Sequence, residues 1–274
     1  MNTDISNFPY LHGFSDEEQE RLLRQADYFE HALYRNVDFS DCERILEVGC
    51  GVGAQTEILL RRFPRLQITG IDSSDRQLAT LQKRMEKGFL GAERFNFQKA
   101  NAQDMDFEGR KFDGAFLCWI LEHIPQPEKV LSEVKRVLKK GSPVYISEVM
   151  NSSFFLNPYS PNTWKYWMAF NDYQWENAGD PFVGAKLGNL LLSQGFQNIQ
   201  TKVISLHFDN REPEKRRRTI QYWTELLLSA APSLLAAECV SKEMVEGMKA
   251  ELRAVSKNPE AISHYSFMQA RAEV

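Results

Sequence analysis

The chain has 274 residues, 43% of them hydrophobic, which is enough apolar material for one full α/β core. Its formal net charge of −4 sets it apart from proteins that hold phosphates with clustered Lys and Arg, so no nucleic-acid partner is expected. The cysteines Cys42, Cys50, Cys118 and Cys239 include no C-x-x-C pair and have no His at zinc-ligand spacing; no metal is expected, and reduced thiols point to the cytoplasm.

The N-terminus is polar and acidic, unlike a secretory signal, and no apolar run approaches the length of a membrane span. An aromatic segment with breakers follows, Phe8-Pro9-Tyr10-Leu11-His12-Gly13-Phe14, whose apolar surface needs something to cover. The first predicted helix runs from Ser15 to Tyr34. Ser15 and Glu18 form a capping-box pattern, and Leu22, Leu23, Ala26, Phe29 and Leu33 recur at helical spacing.

From Arg44 the period changes. Strands are predicted over 44–48, 66–71, 95–100, 112–118 and 143–148, alternating with helices over 55–63, 76–87 and 127–138. This alternation predicts a doubly wound, mostly parallel sheet with helices on both faces and a ligand beyond the carboxyl ends of the strands. After Glu148 comes an aromatic stretch over 151–180, then a helix over 186–194 and a strand over 199–208. A helical segment over 213–257, interrupted near Pro232, and a final strand over 262–271 bring the sheet to seven strands. The organisation read from this is a lid segment and helix over 1–40 and an α/β domain over 41–274, with cap insertions at about 150–185 and 210–260. If the strands before the two insertions run with the sheet, both emerge on the ligand side. The basic run Lys215-Arg216-Arg217-Arg218 reads as a solvated helix face, and the helix over 216–235 offers a face for a homo-oligomer.

The stretch that carries chemistry is Glu47-Val48-Gly49-Cys50-Gly51-Val52-Gly53, with Asp72 nineteen residues after Gly53. Glycines allow a tight turn and close approach of backbone to a ligand. The helix behind them offers unpaired N–H groups, and an acid at the tip of the second strand can take the ribose hydroxyls of an adenosine. Gly49-x-Gly51-x-x-Ala54 also satisfies a dinucleotide fingerprint, so a nicotinamide-dependent oxidoreductase is the rival. That rival needs a Tyr-x-x-x-Lys or comparable acid, and none stands in a suitable place.

In combination these residues resemble the class I S-adenosylmethionine-dependent methyltransferases, over roughly Tyr10 to Gly195. Glu47-x-Gly49-x-Gly51-x-Gly53 is similar to the family's first motif, Asp72 to its ribose-binding acid, and Asn101-Ala102 to its adenine contact. Phe112-Asp113, Leu121-Glu122-His123 and Lys139-Lys140-Gly141 resemble later family segments. The resemblance implies a Rossmann-like fold, S-adenosylmethionine as cofactor and a small-molecule acceptor. It implies cofactor contacts from Glu47, Gly49, Cys50, Gly51, Gly53, Gln55, Asp72, Ser73, Gln77, Asn101, Ala102, Gln103 and Cys118. The N-terminal segment resembles that of a subgroup often acting on secondary metabolites, in which it closes over the cofactor; Tyr10 and Tyr28 would then face the sulfonium.

Methyl transfer from a sulfonium is an in-line displacement that needs alignment and exclusion of water. His12, His123 and Glu148 are the candidate bases. Each also has a plainer reading: His12 as a lid residue bonded to backbone, His123 as a helix cap, Glu148 as half of a salt bridge. Phe14, Trp119, Trp164, Trp167, Phe170 and Tyr173 are expected to line an apolar or aromatic acceptor pocket, or else to form the core of the lid. Intramolecular cyclisation of the cofactor would use the same motifs. Asn157-Pro158-Tyr159 reads as a turn.

Overall fold

The computed structural model describes residues 10–274; Phe8, Pro9 and the acidic N-terminus lie outside them. Two βα units and a third strand open the sheet: β1 (Arg44–Val48) and α2 (Ala54–Arg62), β2 (Gln67–Asp72) and α3 (Asp75–Lys87), then β3 (Phe95–Lys99). The helix α1 (Asp16–Tyr34) precedes them. Then come β4 (Gly114–Cys118), α4 (Pro127–Val137), β5 (Pro143–Val149), a short β6 (Phe155–Asn157), α5 (Pro161–Glu176) and α6 (Leu187–Ser193). The chain ends with β7 (Gln197–Phe208), α7 (Pro213–Ala236), α8 (Lys242–Lys257) and β8 (Ile262–Glu273). The sheet therefore has eight strands rather than seven. The extra one, β6, is three residues that pair with the start of β8, too short to announce itself by alternation.

The sheet runs β3-β2-β1-β4-β5-β8, with β7 along the free edge of β8. The first five strands are parallel. β8 is antiparallel to both β5 and β7, so β7 runs in the direction of β5. The segments after β5 and after β7 consequently leave the sheet at the same end as the turn after β1.

Neighbouring residues of the central strands point to opposite faces, and each face has its own core. Ile45, Phe116 and Tyr145 pack with α1, α2 and the cap helices. Leu46, Leu117 and Ile146 pack with Val130, Leu131 and Val134 of α4 and Leu187 and Leu191 of α6. Strands buried on both faces explain the near-continuous apolar runs. Among the described residues no helix is long and apolar enough to cross a membrane.

Two local expectations change and a third holds. Ser15 caps α1 by accepting from the Glu18 N–H, but the Glu18 carboxylate turns away to grip Arg21 through Nε and Nη2, both at 2.7 Å, so the capping box is half formed. Pro232 sits inside α7 without ending it; the break comes at Glu238, in the left-handed region, and Ser241 caps α8. Asn157-Pro158-Tyr159 joins β6 to α5 as the turn expected.

The cap helices are tied by a carboxylate. Glu251 of α8 accepts from the Asn162 and Thr163 N–H groups at 3.0 and 2.8 Å, and from both side chains, so it caps α5 from another helix. At the other junction, between β1 and α2, Thr56 donates to buried Glu47 at 2.6 Å.

Glu251→Ala should cost about 1–2 kcal/mol through loss of this cap, read as a lower denaturation midpoint at unchanged slope; an unmoved midpoint would show that α5 does not depend on it. Glu47 gives a pH prediction. Burial pushes its carboxyl up to about 8, against about 4.3 when unfolded. A raised folded value gives stability that is full below about 4.3 and lost as pH rises through about 8. Glu47→Gln should therefore lose less Tm than the parent between about pH 5 and about pH 9. Equal losses would show that Glu47 is ionised in the fold.

Candidate active site

The turn from β1 to α2 is made by Gly49, Gly51 and Gly53, with φ of 75°, 52° and 75°. The left-handed region is costly for residues with a Cβ, yet the three glycines serve different ends. A Cβ on Gly49 would lie 2.4 Å from Ile120 Cδ1, and one on Gly53 2.6 Å from Leu81 Cδ1. A Cβ on Gly51 would meet nothing within 4 Å, because that position opens on a cavity of about 320 Å³. This bare cradle lets a ligand come close to the backbone. Asp72, at the end of β2, accepts from the Gly51 N–H and the Ser74 N–H, both at 2.9 Å. Burial raises its pKa against the pull of those bonds.

The cavity continues from this turn across Ser73 and Gln77 to Asn101, Ala102 and Gln103 on one side, and to Cys118 and Trp119 at the end of β4 on the other. Gly49, Cys50 and Gln55 also line it. Gln77 Oε1, in the first turn of α3, is buried without a partner among the described residues, an acceptor facing the cavity. Asn101 Oδ1 already accepts from the Gln103 N–H at 2.9 Å, so its carbonyl is less free for adenine than expected.

The roof comes from the N-terminal segment, α1, α5 and α7. Tyr10, His12 and Phe14 line the cavity with Phe29, Trp167, Phe170, Tyr173, Tyr222 and Trp223. Tyr10 meets His123 edge-on at 5.2 Å between ring centroids, and His12 leans on Phe170 at 5.7 Å. His12 Nδ1 lies 2.6 Å from Ser229 Oγ. Burial, then the charges of Arg21 and His123, push the pKa of His12 well below that of free imidazole.

Five expected site residues do not line the cavity. Glu47 lies beneath the turn and holds Thr56, not the turn's N–H groups. Gly53 faces Leu81. Tyr28 shares a hydrogen bond with Thr219 and stacks on Tyr222, 5.3 Å between centroids and 11° between planes, so it braces α1 against α7 instead of facing a sulfonium. Trp164 packs on Phe154. Glu148 is fully buried and accepts from the Ile120 and Leu121 N–H groups at 3.0 and 2.8 Å. Burial and the charge of Glu122 raise its pKa well above the carboxylate range. It fixes the turn after β4 from below and forms no salt bridge to the lid.

Sequence reasoning missed Arg21, Gln25, Glu122, Gln174, Tyr222 and Tyr265, all on the cavity wall. Arg21 and Gln25 carried a signal: they stand four apart beside the apolar stripe of α1. Gln174, Tyr222 and Tyr265 come from separate elements that only the tertiary fold brings together.

The methyltransferase-domain family matches residues 46–146, from β1 to β5. The O-methyltransferase rstn1 of Aspergillus nomiae is 34% identical over 57% of this chain and 69% of its own length. The sterol 24-C-methyltransferase of Clavispora lusitaniae is 33% identical over 47% of this chain, but only 34% of its own length is matched. Among solved structures, phosphoethanolamine N-methyltransferase 2 of Haemonchus contortus, in complex with S-adenosylhomocysteine, superposes with a TM-score of 0.57 at 20% identity, over 91% of this chain and 52% of that one. The [4+2]-cyclase SpnF gives 0.55 at 21% identity, over 92% and 81%; at such identities the likeness is one of fold alone. The glycine turn, the acid after β2 and the methyltransferase domain that spans them have one common meaning: the chain belongs to the class I S-adenosylmethionine-dependent methyltransferases.

Proposed function

We propose that this methyltransferase acts on a hydroxyl group of a small acceptor with a largely apolar or aromatic body, with His12 as the base. The observation that carries this reading is the place of His12, on the cavity wall with Nδ1 held 2.6 Å from Ser229 Oγ. With the Ser229 hydroxyl hydrogen given to the Leu226 carbonyl, 2.8 Å away, Oγ would accept from His12 and the proton would sit on Nδ1. Nε2 would then hold a lone pair; it has no hydrogen-bond partner among the described residues and belongs to a side chain on the cavity wall. An imidazole with a depressed pKa stays in this neutral form throughout the neutral range.

S-adenosylmethionine supplies an electrophilic methyl group on a positively charged sulfur. Gly49, Gly51 and Cys118 would take its amino-acid end, Asp72 its ribose, and Gln77, Asn101 and Gln103 its adenine side. The aromatic wall of Phe14, Trp119, Trp167, Phe170 and Tyr173 shields the acceptor from water and fits an apolar body. The acceptor hydroxyl would give its proton to His12 Nε2, and from there to solvent, as its oxygen takes the methyl group that the cofactor would supply. His123, against Tyr10, orients the lid. The O-methyltransferase relatives from Aspergillus nomiae and Aspergillus sclerotiorum support oxygen as the acceptor atom.

Two outcomes follow. Asp72→Ala should weaken S-adenosylhomocysteine binding at least about tenfold, the loss expected when a charged hydrogen-bond acceptor is removed; calorimetry giving an unchanged affinity would refute the ribose role. His12→Gln should lower turnover of phenolic acceptors by about 100-fold or more while cofactor affinity holds. In the variant the rate should climb with pH as the acceptor ionises by itself, whereas the parent stays flat through neutral pH. A parent and variant with the same pH profile would remove His12 from the chemistry.

A further inference from the structure

Among the described residues Glu122 is the one carboxylate on the acceptor side of the cavity, and half of it is unused. The residue is only 8% exposed. Gln174 Nε2 donates to its Oε2 at 2.9 Å and reaches its backbone carbonyl at 3.2 Å. The Asp180 N–H also binds that carbonyl, at 2.8 Å. From below, Glu148 anchors the N–H groups of Ile120 and Leu121, so the whole turn is held. Oε1 by contrast accepts no hydrogen bond from the described residues. Its one ion-pair partner among the described residues is His123, with Nε2 at 3.7 Å. A carboxylate oxygen at the wall of a cavity keeps lone pairs for a ligand's donor, and in a partly enclosed place that charge-assisted bond is stronger than in open water. Glu122 lines the cavity together with Tyr222, Trp223, Tyr265 and Gln174.

We propose that Glu122 is an acceptor-orienting residue: its Oε1 takes a hydrogen-bond donor, a hydroxyl or protonated amine, carried by the acceptor at a second position away from the methylated oxygen. The acceptor is thereby bifunctional, with one polar group toward His12 and another toward Glu122, and an apolar body between them. Such a pair of polar anchors fixes which of several hydroxyls meets the methyl group, which an apolar wall alone does poorly. The aromatic rings beside Glu122 also favour a cationic donor over a neutral one.

This inference rests on the cavity being the acceptor site, and the experiment separates the two. The protein saturated with S-adenosylhomocysteine is titrated by calorimetry with three probes: 4-ethylphenol, 4-(2-hydroxyethyl)phenol and tyramine. The parent is expected to bind the hydroxyl or ammonium probe at least about tenfold more tightly than 4-ethylphenol. Tyramine binding tighter than the alcohol identifies an ammonium as the preferred donor, and the reverse order a hydroxyl. In Glu122→Gln the advantage of tyramine should fall below about threefold, with 4-ethylphenol and S-adenosylhomocysteine bound as before. Equal affinity of the parent for all three probes, or no binding of any, overturns the proposal without recourse to a variant. So does a Glu122→Gln protein that loses all ligands alike, because Glu122 would then only hold the turn. Turnover of the same phenols with S-adenosylmethionine tests the underlying reading: methylation without discrimination defeats the Glu122 role alone, and discrimination without methylation defeats the hydroxyl acceptor.

Discussion

A hydrogen bond of 2.9 Å from the Gly51 N–H to Asp72 joins the ends of two adjacent parallel strands, and the ligand face of the molecule is arranged around it. The turn after β1 must pass under a ligand without a side chain in the way, so it is built in the left-handed region that glycine tolerates. Glycine brings freedom along with fit. Asp72 removes that freedom by binding the middle of the turn, and Ile120 and Leu81 close on the spaces beside Gly49 and Gly53. The result is a rigid strip of backbone with one bare position, Gly51, that faces open space.

The bed and the roof of the cavity have different origins. The bed is made of consecutive βα units, each with its loop at the carboxyl end of a strand, as a parallel sheet imposes. The roof is assembled from α1, α5 and α7, which approach from three places in the chain and meet through side chains. Tyr28 with Thr219, His12 with Ser229 and Glu251 with the start of α5 are the joints. A cofactor shared by a whole family suits the first kind of construction. An acceptor particular to one enzyme suits the second, because helices can exchange wall residues without disturbing the sheet.

This division also explains what the sequence disclosed. Every strand and helix from β1 to β5 could be placed within a residue or two, since each is a local pattern bounded by glycine, proline or a cap. The turn and Asp72 were legible as a pair because the ends of β1 and β2 must keep their spacing for the Gly51 N–H to meet Asp72. Glu47 and Glu148 were misjudged for one reason. An acid at the end of a buried strand can face the ligand or face the frame, and spacing is identical in both cases. Here both face the frame, Glu47 toward Thr56 and Glu148 toward the turn after β4. Tyr28 failed likewise, being one position too far around α1, where it meets α7. Pro232 was over-read as a breaker; a helix packed along its length, with Leu227 and Leu234 fully buried, tolerates one missing bond.

The charges on the cavity wall complete the picture. Burial keeps His12 neutral, and it favours the protonated forms of Glu148 and of Glu47 beneath the turn. Arg21 and Glu18 neutralise one another through a bidentate pair. What remains unbalanced on the wall is acidic, Asp72 near the turn and Glu122 near the roof. A low-dielectric enclosure magnifies that imbalance, so the cavity is suited to a ligand that brings positive charge, as a sulfonium does.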